Sequence, residues 1–380
     1  MKDKLNYYVF NIFLLYVLMS CSIETPSESA GDVETVELEE FEIIVAEEDG
    51  LLGQPYLLTY DGNTEHLFVY DHSHVKVLEL DGGGEVVNEF GREGQGPGEL
   101  QGARNIFLTR SHLYIVDHFR YYIHKYDRQG EVVSTKDYGE QLRQRDTAVP
   151  PPPRQPLAPD INNQPSITLD GHVLQPSGRN GQAIFELRDW QGDHLADIGK
   201  IPKGSVSVMD DDEFAEAIKN REVPAQDLSW AFPVNDKANP QEYFLIYSAI
   251  PKIAKYNIDG QKLWERDIPE TLEIESITND HFDVLDRATR GSRLPLRKYI
   301  AGTSSPEGEL YLSTYTNLFT PTENRPLWIH HFNVDGELIH RYNLISDHEI
   351  YLLSFFDIDF ANRRILTMTL QSAEIWSYPY

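Results

Sequence analysis

Residues 66–91 read HLFVYDHSHVKVLELDGGGEVVNEFG: three short runs in which apolar and polar residues alternate, broken by polar turns and closed by Gly91. Alternation at period two sends successive side chains to opposite faces of a pleated strand, and β-branched and aromatic residues suit that surface. The stretch predicts three consecutive antiparallel strands joined by tight turns. Its grammar returns along the chain. Leu67-Phe-Val-Tyr-Asp71 matches Leu113-Tyr-Ile-Val-Asp117, Val75-Lys-Val-Leu-Glu-Leu-Asp81 matches Ile123-His-Lys-Tyr-Asp127, and Gly84-Glu-Val-Val87 matches Gly130-Glu-Val-Val133. Looser copies keep the skeleton: Ala183-Ile-Phe-Glu-Leu187 before Gly192, Ile253-Ala-Lys-Tyr256 before Gly260, and Trp328-Ile-His-His-Phe332 before Gly336. A last copy, Ile365-Leu-Thr-Met368 with Glu374-Ile-Trp-Ser-Tyr378, stops one strand short.

Small antiparallel sheets repeated six times bury their faces against one another when arranged in a ring, so the chain reads as all-β, a six-bladed β-propeller. An open ring would leave sheet edges unpaired. The spare alternating segment Val36 to Val45 is therefore expected to become the outer strand of the sixth blade, and the propeller domain to span 36–380.

The N-terminus reads as an address. Lys2 and Lys4 precede an almost wholly apolar run from Val9 to Met19, too short to span a bilayer comfortably, and Leu18-Met19-Ser20 leads into Cys21, the only cysteine. The pattern resembles a bacterial lipobox, which implies cleavage after residue 20, lipidation (palmitate) at Cys21 and a membrane anchor made of lipid. An ordinary secretory peptide is the alternative. Residues 22–40 hold seven acidic residues and no Lys or Arg; 21–35 is expected to be a flexible acidic tether. A formal net charge of −28 argues against nucleic acid and anionic headgroups as partners.

The strand-Asp-strand-Asp-x-x-Gly grammar resembles NHL-type six-bladed propellers. Gly91-Arg-Glu-Gly-Gln-Gly-Pro-Gly-Glu99 resembles the first interblade loop of the Bacteroidetes-type six-bladed β-propeller lipoproteins, which are TolB-like in appearance; Leu100 stands where such loops more often have Phe. The resemblance implies the fold and a cell-envelope location, with the outer membrane as the expected site of the anchor. It implies no reaction. Copies from Val173 onward lack the Asp that ends the second strand of the first two.

In a propeller blade the inner strand is A and the outer D, so D-to-A linkers and B-to-C turns share one face. Here the linkers 139–165, 199–229 and 268–296 and the B-to-C insertion 315–326 are long, which marks that face as the working one. The ligand-binding candidates on it are Arg92, Glu93, His72, His74, His118, Arg120 and Phe319. The glycines of the 91–100 loop suit turns and an anion-cradling nest, although no P-loop ending follows; the plainer role is a loop folded over the mouth, with Arg92 and Glu99 tying it to neighbouring blades. His72 and His118 occupy equivalent turns and are the candidate ligands for a divalent metal, an arrangement similar to NHL-class lyases; solvated turn histidines are the alternative. No other cofactor is indicated.

His330 and His331 fall on opposite faces of a strand and are read as structural. Asp71 and Asp117 end strands, and Asp81, Asp127 and Asp259 begin turns, where Asp accepts backbone N–H groups. Asp210 to Glu213 is expected to open a short helix over 213–220, and Pro150 to Pro153 to be a stiff spacer. Two functions follow. One is a lipid-tethered binding or scaffold module for an envelope protein, peptide or glycan, with Trp230, Phe232, Tyr243, Phe319 and Trp328 as contact surfaces or blade packing. The other is a metal-dependent lyase or lactonase-like hydrolase at the axial mouth. No Gly-x-Ser-x-Gly nucleophile motif occurs.

Overall fold

The computed structural model describes residues 33–139, 163–177, 183–206, 208–287, 293–314, 326–346, 352–369 and 372–380. Cys21, the tether through residue 32, Pro150 to Pro153 and Phe319 lie outside the described residues. Two strands, β1 (Glu34–Leu38) and β2 (Glu42–Val45), precede the repeats. Blade one is β3 (Pro55–Asp61), β4 (His66–Asp71), β5 (Lys76–Leu80) and β6 (Val86–Phe90); blade two is β7 (Ala103–Leu108), β8 (His112–Asp117), β9 (Tyr122–Asp127) and β10 (Val132–Asp137). Blade three is β11 (Ser166–Ile167), β12 (Val173–Pro176), β13 (Ala183–Arg188) and β14 (His194–Lys200), and blade four β15 (Ala231–Asn235), β16 (Glu242–Tyr247), β17 (Lys252–Asn257) and β18 (Lys262–Asp267). Blade five is β19 (Tyr299–Ser304), β20 (Leu310–Thr314), β21 (Leu327–Phe332) and β22 (Leu338–Leu344); blade six has β23 (Leu352–Asp359), β24 (Arg364–Thr369) and β25 (Ile375–Pro379). Each blade is a separate sheet in sequence order, and around the axis the first strands touch between blades one and two, two and three, four and five, five and six, and six and one. The fold is a six-bladed β-propeller.

Burial follows from the ring. Second and third strands are covered on both faces, so β4 is buried from Leu67 to Asp71 and β8 from Leu113 to Asp117. Outer strands alternate weakly and leave Val86, Val87, Val132 and Val133 exposed. Each fully buried Leu, Val, Ile or Phe contributes about 1.5–3 kcal/mol, so the packed inter-blade layers hold the ring together.

One turn recurs between strands C and D. Asp81, Asp127, Asp189, Asn257 and Asn333 open it, and Gly84, Gly130, Gly192, Gly260 and Gly336 close it at φ of 83, 93, 108, 78 and 79°. The opening side chain accepts N–H groups from the turn: Asp81 Oδ1 accepts from Gly83 and Glu85, and Asn257 Oδ1 from Asp259 and Gln261. In blade four Asn257 does what the sequence reading gave to Asp259, because the turn starts two residues earlier.

Closure involves two strands. β2 pairs antiparallel with β25 and completes blade six, with Phe41 stacked on Trp376 at 3.8 Å between ring centroids. The first half of the expected strand goes elsewhere: β1 pairs parallel with β22 at the outer edge of blade five. The reason is length. β25 has five residues, and at about 3.3 Å per residue a ten-residue partner would overrun it. The chain turns at Glu39–Phe41 and uses a second edge.

Two helices interrupt the β pattern. α1 (Asp211–Lys219) is the anticipated one, capped by Asp210, whose side chain accepts the Asp212 N–H at 2.9 Å. α2 (Leu272–Arg287) is longer and lies in the 268–296 linker, where no helix was expected. Its signal was present as Ile274, Ile277, Phe282 and Leu285, an apolar stripe near helical period.

Candidate functional site

The B-to-C turns place His72, His74 and His118 on the linker face, as the strand order requires. Asp71, fully buried, organises the first turn. It accepts the N–H groups of Gly53, Gln54 and Ser73, each at 2.9 Å, and Nδ1–H of His74 at 2.5 Å. Burial alone would raise this carboxyl, but those donors hold it below the usual Asp range. His72 takes a different direction. Its ring stands edge-on to Tyr56 at 5.2 Å, and Nδ1 is 3.4 Å from the Tyr70 hydroxyl. Burial and the nearby Arg104 guanidinium lower its pKa, so it is neutral at pH 7.

His118 is buried and lies edge-on to Tyr121 and Phe119. Asp117 accepts N–H groups from Gln101 at 2.8 Å and Arg120 at 3.2 Å, yet burial raises its pKa. Among the described residues no group of three or more His, Cys, Asp or Glu is arranged to hold a metal. His72 and His74 face different partners, so neighbouring turn positions do not converge.

The loop after blade one is closed on itself. Glu99 Oε2 accepts from the N–H groups of Gln95 at 2.9 Å and Gly96 at 2.7 Å, while Oε1 binds Arg92. The anion that this glycine-rich nest holds is thus the loop's own carboxylate. Arg92 and Glu99 pair with each other instead of with neighbouring blades. The ties to blade two come from Arg120, whose guanidinium donates to the carbonyls of Gln95, Gly96 and Glu99, and from Tyr126, which donates to Gly98 at 2.6 Å. Glu93 bridges to Leu100 through the backbone. Gly98 requires glycine, because a Cβ there would stand 2.0 Å from Val132 Cγ2.

Over blades three to five the same face carries α1 and α2, packed through Phe214, Ile218, Phe282 and Leu285. Arg293 donates to the Met209 carbonyl at 2.8 Å and pairs with Asp211, and Arg221 reaches Asn279 and Asp283 of α2. Beneath them Asp227 accepts the Leu296 N–H at 2.9 Å and is pushed up to about 7 by burial. His281 is pushed down to about 4 by burial and by Arg297. Arg297 also lies 5.6 Å from the Trp230 ring. Neither helix pair nor the Asp227 cluster was found from sequence; the residues come from segments more than fifty positions apart.

No family model and no curated protein sequence matches the chain. Solved structures do. An exported protein from Bacteroides fragilis matches with a TM-score of 0.50 at 12% identity, over 88% of this chain and 87% of its own. The likeness is one of fold. A gluconolactonase from Xanthomonas campestris matches at 0.43 and 13% identity, over 90% of each chain. A streptogramin B lyase matches at 0.43 and 12%, over 86% of this chain and 93% of its own.

Chemically, the linker face offers a rigid rim, a helical cap and exposed apolar side chains. Phe119 is 47% exposed, Val208 67% and Leu272 79%. All three sit in the B-to-C turn or in D-to-A linkers, and so share that face.

Proposed function

We propose that the chain is a cell-envelope binding module, tethered by lipid at Cys21 to the outer membrane, whose linker face docks an envelope protein, peptide or glycan. The lipobox-like start supports the tether, and export of a protein of the same fold accords with the location. The observation that carries the reading is the cap: α1 and α2 are fixed to each other, Leu272 stands exposed at the start of α2, and Val208 stands exposed in the linker just ahead of α1. Such apolar anchors on a preorganised scaffold favour a protein partner over a glycan.

The test is crosslinking and copurification from membranes with the full-length chain and with the double variant Val208→Asp, Leu272→Asp. A specific partner captured by the parent and lost from the variant, with an unchanged melting curve, is the expected result. Equal capture by both would remove the linker face from recognition. A stoichiometric divalent metal retained on the same purified protein and lost in His118→Ala would favour the alternative, an enzyme working at the axial mouth.

A further inference from the structure

Comparison of the blades with one another exposes a site on the opposite face. Strand C carries a polar residue paired across to an aromatic ring of strand B: Glu79 to Phe68, Lys125 to Tyr114, Lys255 to Phe244 and His331 to Tyr311. In three of these blades the residue two places before that strand-B aromatic supplies a partner of opposite kind. His66 lies 2.8 Å from Glu79, Glu242 lies 2.9 Å from Lys255, and Glu309 lies 3.1 Å from His331. Lys255 has a second carboxylate, Asp236, at 2.6 Å.

Blade two breaks the rule. By register, Thr109 stands where blade four has Asp236, and His112 where it has Glu242: Thr109 N–H donates to the His112 carbonyl as Asp236 N–H does to that of Glu242. Lys125 is left with no ion pair or hydrogen bond among the described residues. Its ammonium rests against the rings of Tyr114 and Trp190, 5.6 Å from each centroid.

The two rings and Lys125 line a cleft of about 360 Å³ between blades two and three, within the range of small-molecule sites. Its rim adds Arg110, Asp170 and His172. The acidic groups there are already engaged: Asp170 accepts from Thr168 at 2.5 Å and pairs with His172 at 2.9 Å, and Asp189 accepts the N–H groups of Gly192 and Asp193. Trp190 is held by its Nε1–H, which donates to Ser134 at 3.1 Å. In a chain of net charge −28, a half-buried lysine without a counter-ion is a place for an anion from outside.

We infer that this cleft binds a sugar bearing one carboxylate, a uronate, with Lys125 as its counter-ion and the partly buried Trp190 as the apolar wall for the pyranose ring. Asp170 and Asp189 line the same cleft as Lys125 and Arg110, and they and the surrounding negative field penalise a dianion such as phosphate more heavily than a monoanion. The partly buried Trp190 ring fits the C–H face of a sugar ring better than a compact inorganic ion, while the buried Tyr114 ring backs Lys125.

Isothermal titration of the full-length chain with glucuronate, glucose and inorganic phosphate tests it. Glucuronate is expected to bind one to one, glucose at least tenfold more weakly, and phosphate no better than glucose. The deciding variant transplants blade four's solution, Thr109→Asp with His112→Glu, an arrangement the fold already accommodates. It keeps Lys125 and the cleft but neutralises the lysine internally, so glucuronate affinity should fall at least tenfold; Lys125→Met should do the same. Failure of glucuronate to bind, equal binding of phosphate, or unchanged affinity in the transplanted variant would each overturn the assignment. The site is separate from the linker face, so partner capture there is unaffected by these variants.

Discussion

Asp71 and Asp117 occupy equivalent places and behave differently, because desolvation weighs more on Asp117 and only Asp71 has a side-chain donor. Each receives three backbone N–H groups, but Asp71 adds the His74 ring, whereas desolvation raises the Asp117 carboxyl. A buried acceptor set of this kind costs about 1–3 kcal/mol when one partner is lost, more when the acceptor is charged. Asp71→Asn is therefore expected to destabilise by about 2–4 kcal/mol at pH 7, and Asp117→Asn by at least about 1 kcal/mol less. The pH dependence has a definite sign. A carboxyl whose folded pKa is depressed contributes stability above its unfolded pKa and loses it as pH falls through the folded value. The gap between parent and Asp71→Asn should hence narrow below about pH 4. Urea denaturation at pH 7 and pH 4 measures both effects, and equal losses for the two variants at pH 7 would refute the distinction. These aspartates were legible in the sequence because their work is local, within one turn. The lone charge on Lys125 was not, although its counterpart was visible in Ile253-Ala-Lys-Tyr256: only the register across strands reveals that one lysine has carboxylates and the other does not.

At the scale of elements, α2 is welded to blade five by Glu273. Its carboxylate accepts Nε2–H of His330 at 2.6 Å and lies 3.1 Å from Arg341 Nη1, while the Tyr299 hydroxyl donates to His330 Nδ1 at 2.8 Å. Burial depresses the His330 pKa, and Arg341 gives Glu273 a lasting positive neighbour. Burial alone would raise Glu273, but His330 first, and then the hydrogen bonds from Thr271 and the backbone, hold it at about 2 instead of 4.5. Its contribution is complete at neutral pH and is lost as pH falls from about 4.5 towards 2. Breaking a buried pair by removing one partner costs about 3–5 kcal/mol, and Glu273→Gln, which keeps the shape, should fall near the lower end. Hydrogen exchange should show α2 amides losing protection first in this variant, with β21 following; uniform loss across all six blades would contradict the weld. His330 and His331 turn to opposite sides of β21, as neighbouring strand positions require, His330 towards Glu273 and His331 towards Glu309. The helix was missed because its stripe is interrupted by Glu275, Ser276, Asn279 and Asp280, and because a chain dominated by period two invites a β reading of every segment.

For the whole molecule the question is what closes the ring. The repeat pattern made the six blades and the need for an N-terminal strand legible, since a missing strand at Tyr378 shows in one dimension. Which edges the N-terminal segment takes is a matter of strand length and position, and that is why β1 on blade five was unforeseen. The two strands do separate work. β2 fills the ladder of blade six and covers Trp376 through Phe41, so without it the first and last blades meet across an open edge. β1 adds a fifth strand to a blade that is already complete, and its side-chain ties are the hydrogen bond from Arg341 to Thr35 at 2.8 Å, the pair of Glu34 with His340 at 3.3 Å and the buried Leu38. A chain starting at residue 40 should therefore melt only slightly below the parent. One starting at residue 46 should melt about 5 °C lower or more, since each kcal/mol shifts the midpoint by roughly 2–4 °C in chains of some 150–250 residues and by less in longer ones. The lost ladder and aromatic stack must then exceed about 3 kcal/mol, which burial of Trp376 and Phe41 readily supplies. Calorimetry on both chains decides the matter: equal midpoints would mean that inter-blade packing alone keeps the ring shut, whereas a large drop already at residue 40 would move the clasp to blade five.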